Sequence, residues 1–87
     1  MRERIENIVY DYADIMGYMV KDLDVIKMGS HYYYTVWFKI DNKDIVTMHH
    51  VLESDDDMKI EGELYFDIKN KIKIYNYYHS KRGGNHA

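Results

Sequence analysis

The stretch HYYYTVWFKID, residues His31–Asp41, is the strongest strand signal in this 87-residue chain. Tyrosine, threonine, valine, tryptophan and phenylalanine all favour the pleated backbone of a β-strand. Side chains on a strand point alternately to its two faces, so we expect one set of alternate residues to face the core and the other to face solvent. The first set is Tyr32, Tyr34, Val36, Phe38 and Ile40, and the second is Tyr33, Thr35, Trp37 and Lys39.

Two shorter segments on either side of this stretch are candidate strands. Ile45–Leu52 follows a polar turn at residues 41–44 and is predicted to be a strand. Leu23–Met28 is a second candidate, for which the alternative is an irregular connection. Gly29 and Ser30 come directly after it. Because glycine reaches positive φ at no steric cost, this pair predicts a tight turn between two strands.

The C-terminal third of the chain predicts a β-hairpin. Its strands would be Lys59–Ile68 and Ile72–His79, joined by a three-residue loop at 69–71. A loop of this length sets Phe66 opposite Ile74 and keeps the apolar side chains on one face. A slip of one residue would reverse every face, so the three-residue loop is favoured over a two-residue one.

The first twenty residues carry apolar side chains at helical spacing, which predicts a helix from Arg2 to Met19. The expected fold is therefore α+β, with one N-terminal helix packed on one face of an antiparallel meander sheet of four or five strands. Residues 1–80 would form a single domain. Residues 81–87 have no apolar anchor and are expected to form a flexible C-terminal tail. The apolar stripe of the helix consists of Ile5, Ile8, Val9, Tyr12, Ile15, Met16, Met19 and Val20.

Composition favours a cytoplasmic protein that does not bind a membrane. The chain has no cysteine, whereas small secreted domains usually need disulfides. Acidic residues interrupt the N-terminus too early for a signal peptide. No apolar run approaches the roughly 20 residues that a membrane-spanning helix needs.

Charge is divided unevenly along a chain of formal net charge −3. Residues 1–57 hold twelve acidic and six basic residues, whereas residues 58–87 hold three acidic and six basic residues. Such asymmetry can steer a charged partner or align two copies head to tail. The acidic excess also argues against direct nucleic-acid binding, which normally requires a basic surface.

No catalytic or metal-binding pattern is present in the sequence. It has no cysteine nucleophile, glycine-rich phosphate loop or serine elbow. His49 and His50 are adjacent in a predicted strand, so their side chains would point to opposite faces and would not share a metal. We therefore expect a non-enzymatic protein without a metal or another cofactor.

An aromatic sheet face is one candidate binding surface. A single helix covers only one side of a sheet, and tyrosine and tryptophan are common anchors at protein interfaces. One alternative is that the rings only pack on one another across strands, and another is that the face joins two copies into a structural homodimer. A small-ligand binder or minor enzyme with its site on the same face is a third. The predicted aromatic residues are Tyr33, Trp37, Tyr65, Tyr75 and Tyr77.

Acidic residues form the second candidate surface and lead to the functional hypothesis. We expect a small acidic protein-binding domain whose partner is a protein, such as a basic nucleic-acid-binding enzyme. In size, compartment and acidity the chain resembles small phage or mobile-element inhibitors of larger host proteins such as defence nucleases. That class includes anti-CRISPR proteins and nucleic-acid mimics. The predicted partner-binding acids are Glu3, Glu6, Asp11, Asp14, Asp55, Asp56 and Asp57.

Overall fold

The computed structural model describes residues 1–84 and has an α+β fold, as predicted. Its sheet has three antiparallel strands in the order β1-β2-β3, so the prediction of four or five strands is wrong. A second helix takes the place of the remaining strands. The elements are α1 (Arg2–Met16), β1 (Met19–Met28), β2 (His31–Ile40), β3 (Lys43–Leu52) and α2 (Asp57–Gly84).

Both hairpin turns contain two residues and follow from their local sequence. Gly29 has a φ of 65° and precedes Ser30 in the β1–β2 turn. Asp41 and Asn42 form the β2–β3 turn with φ values of 49° and 64°. Positive φ at both central residues is typical of a type I′ turn, whose twist matches that of the flanking strands. Because this turn is so short, β3 begins at Lys43, two residues before the predicted start at Ile45.

Helix α1 ends three residues before the predicted boundary at Met19. Gly17 adopts the left-handed conformation with a φ of 74°. Its N–H donates to the Asp14 carbonyl, and the Tyr18 N–H donates to the Ala13 carbonyl at 2.8 Å. This pair of hydrogen bonds is a Schellman cap, which ends a helix where glycine accepts positive φ.

Strand β1 includes the candidate Leu23–Met28 and begins earlier, at Met19. Its pairing with β2 shifts between Val20 and Asp22, which identifies a β-bulge at Lys21. The bulge absorbs one extra residue, so Val20 and Leu23 both point toward the core although three positions separate them. Because of this irregular spacing, residues 19–22 do not show strict alternation, and the prediction did not include them in the strand.

Helix α2 replaces the predicted hairpin of Lys59–Ile68 and Ile72–His79. Ile60, Leu64 and Ile68 recur every four residues and are buried, as expected for one stripe of a helix. The hairpin prediction grouped Phe66 with Leu64 on one apolar face, but Phe66 is exposed. Strand propensity is a weak preference, and burial of this stripe against the sheet outweighs it.

One core lies between the two helices and the sheet. The inward residues of β2 are buried, as the alternation predicted, and both helices contribute to the same cluster. No helix within residues 1–84 is long and apolar enough to cross a membrane. The buried apolar residues are Ile5, Val9, Tyr12, Ala13, Tyr32, Tyr34, Val36, Phe38, Ile40, Ile45, Val51, Ile60, Leu64 and Ile68.

The predicted tail falls partly within the described chain. Helix α2 continues through residues 81–84, whereas residues 85–87 lie outside the described residues. The single domain at 1–80 and the flexibility of residues 81–87 stay predictions.

Candidate functional site

The sheet has one face that neither helix covers. Each strand contributes alternate residues to this surface, which we call the open face, and the pairing register places them in rows across the three strands. Ile26, Tyr33 and His50 form one such row. The open face consists of Met19, Asp22, Asp24, Ile26, Met28, His31, Tyr33, Thr35, Trp37, Lys39, Asp44, Val46, Met48, His50 and Leu52.

The open face is rich in exposed apolar side chains. Met48 is 76% exposed and Ile26 is 53% exposed, and Met28, Tyr33 and Val46 are exposed as well. Single exposed apolar residues are normal on a protein surface, but a contiguous group is typical of an interaction site. Methionine adapts its shape readily, which suits a surface that another molecule must fit.

Carboxylates lie along the β1 side of the open face. Asp22 accepts a hydrogen bond from the Leu23 N–H at 2.8 Å. Lys21 reaches across the face to Asp44 on β3, where its Nζ lies 3.2 Å from Oδ1. Asp24 has no ion-pair partner within residues 1–84. The apolar surface is therefore bordered on one side by negative charge.

Three aromatic rings pack together at the end of the open face near the β1–β2 turn. His31 Nδ1 lies 2.7 Å from His50 Nε2, and the two rings are nearly parallel. The short nitrogen distance places them edge to edge, with one nitrogen donating and the other accepting. The Tyr33 ring stacks on His50 with centroids 4.8 Å apart. These contacts hold Tyr33 in place and form an aromatic edge at this end of the open face.

The predicted aromatic surface is divided between two parts of the molecule. Tyr33 and Trp37 lie on the open face, as expected from their alternation in β2. Tyr65, Tyr75 and Tyr77 lie on α2, so their predicted placement on the same sheet face is wrong. The sequence reasoning did not include Ile26 and Met48 in the exposed face, although the alternation of residues in β1 and β3 could have indicated them.

The predicted acids of α1 lie on its surface. Glu3, Asp11 and Asp14 are exposed. Glu6 forms an ion pair with Arg2 one turn earlier, at 3.5 Å. These side chains are available to an approaching basic molecule, although none of them belongs to the open face.

The predicted acids of the loop before α2 all make local contacts. Asp56 Oδ1 accepts a hydrogen bond from the Lys59 N–H at 2.8 Å, which caps the start of α2. Asp57 forms an ion pair with Arg4 and connects the two helices. The backbone N–H of Leu52 and the side chain of Lys59 donate to Asp55 and hold its pKa below the usual range. The three aspartates therefore stabilise the start of α2 and its connection to the rest of the fold, a role that the sequence did not predict.

The His49 side chain is buried between the sheet and α2, close to Asp67. The His49 side chain is only 5% exposed and stacks on the Tyr34 ring with centroids 4.8 Å apart. Its Nε2 lies 3.8 Å from Asp67 Oδ2, which is beyond hydrogen-bond distance. Burial lowers the pKa of His49 more than the neighbouring carboxylate raises it. The imidazole is therefore neutral in the folded state near neutral pH.

This burial predicts a stability that falls in mild acid. Because the pKa of His49 is lowered on folding, the unfolded chain binds more protons as the pH drops below about 6.5. One such group changes the free energy of unfolding by at most about 1.4 kcal/mol per pH unit. Urea unfolding at several pH values should show a shallower dependence for His49→Gln. The same change at exposed His79 is the control, and an equal loss of slope there would contradict the assignment.

The described part of the chain offers no evident metal centre. No group of three or more histidine, aspartate or glutamate side chains within residues 1–84 is arranged to hold an ion. The His31–His50 pair belongs to the aromatic edge with Tyr33.

The chain was also compared with known proteins. No protein-family model, no curated protein and no solved structure matches it.

Proposed function

We propose that this chain is a non-enzymatic protein-binding domain that docks a partner protein on its open face. The observation that carries the proposal is the group of exposed apolar side chains on the uncovered side of the sheet, of which Met48 on β3 is the most exposed and to which Ile26 on β1 also belongs. Leaving such a surface in water is unfavourable by about 25 cal/mol for each Å² of apolar area. A partner that covers it gains that free energy.

The chemistry of the open face identifies the kind of partner. A broad apolar surface on three adjacent strands suits another protein surface. The carboxylates of Asp22 and Asp24 border this surface on the β1 side. A complementary partner would present an apolar patch flanked by lysine or arginine, since matched charges speed association and orient the two proteins.

The acids of α1 support a finer version of the same proposal. Glu3, Asp11 and Asp14 are exposed on the helix surface, and acidic residues outnumber basic ones two to one in residues 1–57. A basic nucleic-acid-binding enzyme would be attracted to both acidic regions. In this version the domain is an inhibitor that occupies the basic groove of a host defence enzyme, in the manner of a nucleic-acid mimic.

The test is capture of a partner by variants that differ only in the open face. Immobilised wild-type chain, Met48→Lys and the control Ile15→Lys would be incubated with nuclease-treated lysate of the native host. Ile15 is an exposed apolar residue on α1, away from the open face. A partner that docks on the open face should bind Met48→Lys at least about tenfold more weakly, because an apolar contact is replaced by a charge, and should bind Ile15→Lys normally.

The outcomes separate the versions of the proposal. Equal capture by wild type and Met48→Lys would show that the open face is not the docking surface. Loss of binding by the double variant Asp11→Lys and Asp14→Lys would support the basic partner. Unchanged affinity of that variant at low salt would remove α1 from the interface. Self-association that Met48→Lys abolishes would favour the structural homodimer.

A further inference from the structure

Helix α2 carries a second set of apolar residues outside the stripe that faces the core, and one of them, Ile74, also borders a groove beside Ile45 and Val46 of β3. Phe66 is 64% exposed and Ile74 is 52% exposed. With Asn70 between them and Tyr77 beyond, they recur at spacings of four, four and three residues, so they line one face of the helix. We call this set of four residues the outer stripe. The inner stripe of Ile60, Leu64 and Ile68 faces the core instead.

Apolar residues on two sides of a helix are unusual at a protein surface. A surface helix normally presents polar residues opposite its buried face, and a helix that is apolar on both sides is usually covered on both. Within the described chain, Phe66 makes one ring–ring contact, an edge-on contact with its neighbour Tyr65. The outer stripe is therefore a surface that another molecule would cover favourably.

The charges along α2 identify that molecule as a second copy. The half of α2 from Asp57 to Asp67 contains four acidic residues and one lysine. Asp57 is already paired with Arg4 and Lys59 with Asp55, which leaves Glu61, Glu63 and Asp67 as the remaining charges of this half. Residues 68–79 contain three lysines and no acid. Two such helices placed antiparallel set the acidic half of each against the basic half of the other. A parallel arrangement would set like charges together and is disfavoured.

We propose that two copies of this chain pair through antiparallel α2 helices along the outer stripe. Phe66 and Ile74 each lie four residues from Asn70, so a two-fold axis beside Asn70 sets Phe66 of each copy against Ile74 of the partner subunit. The contact is then self-complementary, as a two-fold dimer requires. A polar asparagine within an apolar helix seam fixes the register of pairing by hydrogen-bonding to its counterpart.

The pairing leaves most of the open face accessible, and only Val46 at the β3 edge shares a groove with Ile74. Helix α2 packs on the inner side of the sheet, whereas Met48 and Ile26 lie on the other side. A dimer formed through α2 would thus present two open faces, and the inference holds whether or not the proposed docking function is correct.

The first arm of the test measures self-association by sedimentation velocity over a range of concentrations. Wild type should form a dimer, and Phe66→Lys should raise the dissociation constant at least about tenfold because a central aromatic anchor is lost. Met48→Lys, the same kind of change on the open face, should leave the dimer intact. A wild type that stays monomeric at every concentration overturns the proposal. So does a dimer that Met48→Lys dissociates and Phe66→Lys does not.

The second arm tests the antiparallel arrangement by exchanging charge. The double variant Glu61→Lys and Glu63→Lys leaves residues 57–67 with two acidic residues and three lysines. The double variant Lys71→Glu and Lys73→Glu leaves residues 68–79 with two acidic residues and one lysine, so each variant sets like net charges against each other in its own dimer. Each variant alone should be mostly monomeric at low salt, and an equal mixture should recover the dimer. Circular dichroism would verify that both variants remain folded. Folded variants whose mixture stays monomeric would contradict the antiparallel pairing.

Discussion

Phe38→Ala is expected to lower the free energy of unfolding by about 3–5 kcal/mol. The Phe38 side chain is 0% exposed and lies on the central strand between Val20 and Ile45. The Tyr18 ring packs edge-on against it with centroids 6.2 Å apart. Removing the ring loses its transfer free energy and leaves a cavity that the strands on both sides cannot close. Urea unfolding followed by circular dichroism would measure the loss.

The matched control for this prediction is Met48→Ala on the other face of the same sheet. Because that side chain is mostly exposed, its removal should change the free energy of unfolding by less than about 0.5 kcal/mol. A similar cost at both positions would mean that the open face is covered in solution. A small cost at Phe38 would contradict the assignment of the core face.

Lys69→Pro is expected to cost about 3 kcal/mol or more, because the residue lies in the interior of α2. Proline has no backbone N–H to donate to the carbonyl of Tyr65, four residues earlier, and its ring clashes with that carbonyl. In the hairpin that strand propensity suggests, residue 69 would be in a loop, where proline is well tolerated. A large loss of stability in urea unfolding would therefore indicate a helix at residue 69, and a small loss would indicate a hairpin loop.

Lys69→Ala is the control for the loss of the side chain. The Lys69 Nζ lies 5.8 Å from the centre of the Tyr65 ring, an exposed contact worth about 0.5–1 kcal/mol. The better helix propensity of alanine offsets part of that loss. The alanine variant should thus be nearly as stable as wild type. A proline variant as stable as the alanine variant would show that α2 is not helical at this point.

The N-terminal half of the fold could be predicted because its signals are local. The alternation in His31–Ile40 identified both faces of β2, and Gly29 marked the turn before it. The end of α1 could not be placed as well, since Met19 continues the apolar periodicity beyond the helix. The left-handed cap at Gly17 ends α1 first, and the chain then extends into β1.

The C-terminal half was predicted wrongly because its local preferences oppose its environment. Isoleucine and tyrosine favour strands, and residues 59–79 contain many of both. The apolar residues there fit a period of two as well as a period near four. The choice between these periods depends on what the segment packs against. Ile60, Leu64 and Ile68 are buried beside the sheet and α1, whereas Phe66, which a strand would place on the same face, is exposed, and this combination fits a helix.

The candidate site was identified in part for the same reason. Tyr33 and Trp37 were predicted on an exposed sheet face from the alternation within one strand, and they lie there. Alternation within β1 and β3 could have placed Ile26 and Met48 on an exposed face, but only the register across the three strands shows that they share this face with Tyr33 and Trp37. The loop acids Asp55 and Asp56 were predicted to bind a partner, yet both make structural contacts, Asp55 with the end of β3 and Asp56 with the start of α2.

The sequence by itself determined the α+β class, the N-terminal helix, the two faces of the central strand and the absence of a recognisable catalytic pattern. These features follow from residue spacing and turn chemistry, which act over a few residues. Only the tertiary structure decided that residues 57–84 form a helix and that three strands leave an apolar open face. It also decided that α2 carries a second exposed stripe. Each of these depends on burial between segments far apart in the chain, and that free energy outweighs local propensity.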